Sequence, residues 1–205
     1  AVWLTVSGVV ALLVAWLGWR HRAARGAPAL TALMLALAIW AFTYAVFWLS
    51  TVQEARVFWL NMTYLGAVTA PVLFFVLVLF FIGRAGWLKR NAYILLMVIP
   101  ALTWLLMWTD SWHGLFYGGG GADRSMFFNG GPWFYVFIVY SYGLMAAGMI
   151  LLARMHMLSQ AFYRRQTRVM LAGGLLPWIV NILMLFGWNP LPGLDLTPIA
   201  FTGTG

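Results

Sequence analysis

Six stretches of this chain stay apolar for about twenty residues at a time, and that length decides what the chain can become. They fall at roughly 1–19, 28–50, 57–83, 91–108, 132–153 and 167–188. A helix of that length matches the hydrocarbon thickness of a bilayer. Of 205 residues, 64% are hydrophobic and only 8% charged, where a soluble domain carries about 25% charged residues. No water-soluble fold could bury so much apolar surface, so the solvent is lipid. Lipid offers the backbone no hydrogen-bond partners, which leaves helix or closed barrel. The runs are long and unbroken rather than short and alternating, and a barrel is excluded. The fold class is an all-α integral membrane bundle.

A seventh helix is expected to open near the end. In Asp195-Leu196-Thr197-Pro198 the threonine is a good N-cap and the proline suits a first helical turn. The sequence stops at Gly205, about two turns later. A crossing from there needs about a dozen further residues. No initiator Met stands at the front. The expectation is therefore a single seven-helix domain over 1–205 with its seventh helix truncated and any output domain past Gly205.

Charge sets the orientation. Arg20, Arg22 and Arg25 follow the first run; Arg84, Lys89 and Arg90 follow the third; Arg154, Arg164, Arg165 and Arg168 follow the fifth. Of the 12 basic residues only Arg56 and Arg124 lie on the other side, together with all 4 acids, Glu54, Asp110, Asp123 and Asp195. The positive-inside rule places the N-terminus outside and the basic loops in the cytoplasm. The net charge of +8 is then a set of anchors near anionic lipid, and no nucleic-acid partner is expected. The first run has its charges after the apolar core, the reverse of a secretory signal. Between the fourth and fifth helices, Asn129-Gly130 sits among aromatic residues and suggests a type I′ turn, hence a small outer β-hairpin.

Polar side chains inside a bilayer are costly and mark interiors or sites. Most of them fall in the outer halves: Tyr44; Asn61 and Tyr64 on one face of the third helix; Tyr135, Tyr140 and Tyr142 on the fifth; Asn181 on the sixth. Thr202 and Thr204 follow on the seventh. The inner halves are mostly Leu, Val, Ala, Met and Phe. This asymmetry suggests an outward-facing, aromatic-walled pocket. Most tryptophans, Trp104 among them, suit an interfacial belt. Asn61 and Asn181 do not, and suit either an interhelical hydrogen bond or a ligand contact. Pro71, Pro100 and Pro177 interrupt their helices and free backbone carbonyls.

Recognisable catalytic sets are missing. There are 0 cysteines, so no disulfide or thiolate site. His21, His113 and His156 are dispersed between the two sides, and no metal or other cofactor is expected. Met155-His156-Met157 suits a membrane edge better than haem. Gly118-Gly119-Gly120-Gly121 lacks the Gly-Lys-Ser/Thr of a phosphate loop. No charge is placed deep in a helix, as a proton relay would need.

Several of these pieces occur in a familiar order. They are Ala38-Ile39-Trp40; Trp59-Leu60 through Tyr64-Leu65-Gly66 to Pro71; Ile99-Pro100; and Thr109-Asp110 with His113. Gly131-Pro132-Trp133-Phe134 with Tyr140, Arg165-Gln166, Leu176-Pro177 with Asn181, and Asp195-Leu196-Thr197-Pro198 through Phe201 continue it. The pattern resembles the N-terminal seven-helix sensor module of bacterial histidine kinases, also found ahead of diguanylate cyclases, along nearly the whole chain. The resemblance implies a multi-pass protein of the bacterial cytoplasmic membrane, dimeric at full length, whose seventh helix continues into signalling domains.

The expected function is a receptor for a small apolar or amphipathic, lipid-like molecule. Trp40, Tyr44, Asn61, Tyr64, Trp108, Trp133, Tyr140, Tyr142 and Asn181 are the candidate ligand-binding residues. Asp110 and His113 would shape a lid, with Asp195 and Thr197 capping the seventh helix. A plain membrane anchor, a small-molecule transporter and a lipid-active enzyme are the alternatives, in that order.

Overall fold

The computed structural model describes residues 1–118, 130–158 and 161–185. These form six long helices: α1 (Val2–Arg20), α2 (Ala27–Leu49), α3 (Gln53–Phe81), α4 (Arg90–Trp108), α5 (Pro132–Leu158) and α6 (Ala161–Leu185). A 3₁₀ turn, Ala85–Trp87, links α3 to α4, and one helical turn, Asp110–His113, follows α4. The first five are long and apolar enough to cross a bilayer, and α6 carries a shorter apolar stretch, Thr167–Leu183. Over their described residues, all six expected runs are essentially helical. Several extend beyond the apolar run, because backbone hydrogen bonding continues where the side chains have become polar. The seventh helix, with Asp195 and Thr197, lies outside the described residues.

Alternating crossings gather the basic residues of the described loops at one end of the bundle. There Arg20 stacks over Trp16 at 4.7 Å and Arg84 over Trp87 at 4.7 Å, as expected of interfacial anchors. We call this end inner and the end bearing Trp108 and Pro132 outer.

The expected outer hairpin is corrected. Asn129 lies outside the described residues, but the arm that should follow the turn is not a strand. Pro132, Trp133 and Phe134 are the first turn of α5. Proline at the first helical position sacrifices only an N–H that has no helical partner anyway, and this outweighs the turn signal. No strand occurs among the described residues.

Lipid tails are as apolar as leucine, so the helices cannot associate by hiding from water and depend on close packing. The small residues supply it. On α1, Ser7, Gly8, Ala11, Ala15 and Gly18 form the buried stripe against α2. Thr31 on α2 sits over Gly18, where a Cβ would come within 2.6 Å of its hydroxyl. The closest approach is between α2 and α3. A Cβ at Gly66 would lie 2.2 Å from the Ala36 carbonyl oxygen and 2.8 Å from the Trp40 nitrogen. Only glycine permits this crossing.

Helix α3 is the centre of the bundle, packing on α2, α4 and α5. Its buried Phe74 enters a recess floored by two glycines of neighbouring helices. Cβ atoms at Gly174 and Gly148 would stand 2.7 Å and 3.1 Å from that ring. Pro71, Pro100 and Pro177 lie inside α3, α4 and α6. Pro100 deprives the Leu96 carbonyl, four residues earlier, of its helical donor. The Tyr140 hydroxyl of α5 replaces it, donating to Leu96 O at 2.5 Å.

Replacing Gly66 by Ala should therefore destabilise the bundle by about 1–3 kcal/mol, the usual range for overpacking, because the obstacle is backbone. Gly143, where a Cβ meets nothing within 4 Å, is the control and should tolerate Ala. Thermal unfolding in detergent, followed by size exclusion, checks both; equal midpoints for the two variants would contradict the packing at Gly66.

Candidate functional site

The outer end is closed by a short segment between α4 and α5. After Trp108 the chain makes the turn Asp110–His113 and reverses at Gly114, whose φ of 61° suits glycine. The Asp110 carboxylate is buried and accepts the N–H groups of Phe116 at 2.7 Å and Tyr117 at 3.3 Å through Oδ1. It folds the segment back over the bundle. The carbonyls of Phe116 and Leu115 then accept the N–H groups of Gly131 at 2.8 Å and Trp133 at 3.0 Å. These are donors at the start of α5 that no helical partner serves. Gly131 is needed here: a Cβ would fall 2.1 Å from Leu115 O.

This backbone clamp drives Phe116 inward. Its ring is fully buried and meets Tyr64, Tyr117 and Phe134 edge-on, with centroids 5.5, 5.2 and 5.6 Å away. Val68, Met107 and Phe137 complete the apolar plug. Edge-to-face contact suits the ring quadrupoles and adds to the burial.

Polar ties surround the plug. The Tyr117 hydroxyl donates to Asn61 Oδ1 at 2.7 Å, and the Trp104 indole donates to the Asn61 backbone oxygen at 3.2 Å. The Trp133 indole donates to Thr103 Oγ1 at 2.9 Å, and Thr103 donates to Ile99 O within α4. Burial pushes the Tyr117 phenol well above its usual pKa, with Tyr64 and Asp110 adding to the effect. The phenol stays protonated and remains the donor. At the rim, His113 Nδ1 accepts the Leu115 N–H at 3.0 Å, while Nε2 lies 3.0 Å from Thr109 Oγ1. That geometry assigns the proton to Nε2. The 3.8 Å approach of Nδ1 to Asp110 is then not an ion pair, because an unprotonated nitrogen faces the carboxylate.

The sequence-derived candidates among the described residues fall into five places. Asn61, Tyr64, Asp110, His113 and Trp133 meet in this cap. Tyr142 donates its hydroxyl to Asn181 Oδ1 between α5 and α6, apart from the cap. Trp40 and Tyr44 belong to the α2 core, Trp40 against Gly66 and Tyr44 stacked on Phe47 at 5.6 Å. Trp108 is exposed and meets Phe58 and Trp104 at ring edges, a belt position rather than a wall. Tyr140 serves the Pro100 kink. Phe116, Tyr117, Thr103 and Trp104 were not among the candidates. The first two lie in a loop whose glycine run conceals its buried end. Trp104 has the composition of a belt residue, yet its indole turns inward.

Comparison with protein families decides the membership. The model describing the N-terminal 7TM region of histidine kinase matches residues 3–205.

The chain belongs to this histidine kinase 7TM family.

Neither curated proteins nor solved structures gave a match. The family is a membrane sensor region, and the five long apolar helices make this member a multi-pass membrane protein. The residues that clamp its outer end, Asp110, Gly131 and Trp133, are among those that carried the resemblance.

The absence of cysteine makes the clamp simple to test. Met107 lies buried beneath Phe116. A single Cys at Met107 should resist a membrane-impermeant maleimide. Adding Asp110→Ala should raise its labelling rate about tenfold, equivalent to losing a closure worth about 1.4 kcal/mol. Fast labelling with Asp110 intact would mean that the segment does not close the bundle.

Proposed function

We propose that this domain is the sensor of a bacterial histidine kinase, seated in the cytoplasmic membrane. A small apolar or amphipathic molecule, recognised in the outer half, biases the bundle between two arrangements. The seventh helix carries the difference to a cytoplasmic kinase, which acts as a dimer. One observation carries this reading. The cap ties α3, α4 and α5 through single side chains, namely Tyr117 to Asn61 and Trp133 to Thr103. A change in the short outer segment therefore displaces three helices at once. A ligand shifts such an equilibrium only by its difference in affinity for the two arrangements. A merely structural module would show the same ties, and a plain anchor is the second reading.

The two separate in a parent protein in which this region precedes a kinase. Asp110→Ala and Phe116→Ala should change autophosphorylation in membrane vesicles by about threefold or more, the scale of coupling energies near 1 kcal/mol. Leu95→Ala, on the lipid-exposed face of α4, should leave it unchanged. Cap variants that open the Met107 position to labelling and yet leave kinase activity untouched would sink the sensor reading in favour of the anchor.

A further inference from the structure

The bundle satisfies its interior polar groups with care. The indoles of Trp104 and Trp133 and the hydroxyls of Tyr117, Tyr140 and Tyr142 all have acceptors. The threonines Thr43, Thr63, Thr69 and Thr103 donate to carbonyls four residues back. Four buried side-chain atoms have no hydrogen-bond partner among the described residues: Arg56 Nε, Ser141 Oγ, His156 Nδ1 and Trp178 Nε1. Arg56 and His156 stand near the ends of their helices. Ser141 and Trp178 lie within the membrane.

Those two lie about one helical turn apart along the α5–α6 pair. Helices α5 and α6 run antiparallel, and two contacts fix their register. Tyr142 meets Asn181, and Met149 Sδ would lie 2.9 Å from a Cβ at Gly174. One turn outward from Gly174 is Trp178, level with Met145 and next to the Tyr142–Asn181 pair. The Trp178 and Tyr142 rings are 6.3 Å apart, and Trp178 packs against the main core. Ser141 is the chain neighbour of Tyr142 and only 6% exposed. An unpaired buried donor in hydrocarbon is costly, and two within about one turn of each other ask for a partner.

We propose that this layer, Ser141 and Tyr142 on α5 with Trp178 and Asn181 on α6, is the recognition point for an uncharged, mainly apolar molecule bearing a carbonyl or ester oxygen. Trp178 Nε1–H is a donor and nothing else, so it selects an acceptor. Ser141 supplies a second hydroxyl donor. The ligand is uncharged because α5 carries no charged residue from Pro132 to Ala153, and α6 none from Val169 to Leu185. A charged group would be stranded there. The ligand arrives from the bilayer. Beside Tyr142, Gly143 is exposed and leaves its flank of α5 open, with nothing within 4 Å of a Cβ. The proposal deepens the sensor reading and rests on it for its purpose, while the binding itself is tested separately.

The test uses the chain in lipid nanodiscs with two photoprobes. One is a fatty-acid methyl ester carrying a mid-chain diazirine; the other is the matching diazirine alkane, without oxygen. Peptide mapping by mass spectrometry should find residues 139–146 and 175–182 labelled about fivefold more by the ester than by the alkane, the increment of one or two hydrogen bonds. Trp178→Phe keeps an aromatic ring and removes the N–H, and should bring ester labelling down towards the alkane level. Ser141→Ala should lower it further. Equal labelling by both probes, or ester labelling indifferent to both substitutions, would overturn the site and leave these groups to buried water. Kinase activity of the parent, measured with the ester present, decides the sensor reading independently of where the ester binds.

Discussion

At the crossing of α2 and α3, the Ala36 carbonyl oxygen rests where a side chain at Gly66 would have to be, and the rest of the bundle is arranged around that contact. In lipid there is no hydrophobic gain in bringing two apolar helices together, so association must come from dispersion and close fit. The contact holds α3 against α2 and leaves its other faces to α4 and α5. Its outer half then presents Asn61 and Tyr64 to the segment after α4. Its inner half sends Phe74 between Gly148 of α5 and Gly174 of α6. One helix thus links the outer cap to the α5–α6 pair.

The two polar regions differ in how they are satisfied. In the cap every named tie has both partners: carboxylate to backbone, phenol to carboxamide, indole to hydroxyl. The cap is a closure built around a fully buried aromatic ring, Phe116. In the α5–α6 layer, Tyr142 and Asn181 pair while Trp178 Nε1 and Ser141 Oγ do not. The flank of α5 at Gly143 is open, and the proposed ligand would come from that side. Movement of α6 against α5 is then the motion that the proposed ligand would bias.

Much of the fold was legible because the bilayer asks so little of a sequence. The helical spans follow from run length, and Pro71, Pro100 and Pro177 lie inside helices because the apolar runs continue past them. The arm expected after Asn129-Gly130 is instead the start of α5, because Pro132 starts a helix more readily than it continues a strand. The site was legible only in part. Asn61 was singled out as a polar group in an apolar run, but its partner Tyr117 lies 56 residues on, beside a glycine run. No local pattern connects them. Trp104 and Trp108 lie one turn apart on α4, yet one indole faces inward and the other lies at the lipid edge. Composition is the same for both, and only neighbouring helices distinguish them.

By itself, then, the sequence determined that the chain crosses the membrane as helices and where its apolar runs lie. These are properties of single segments in a solvent, and transfer energies act on each segment alone. The tertiary structure decided that Phe116 plugs the outer end of α3, α4 and α5, that Tyr140 completes a kink in another helix, and that Ser141 and Trp178 are left unpaired about one turn apart. Those outcomes depend on helix register and on glycine positions that let backbones approach. Both are relations between segments, and lipid, indifferent to which apolar faces meet, leaves them to the fit of the side chains.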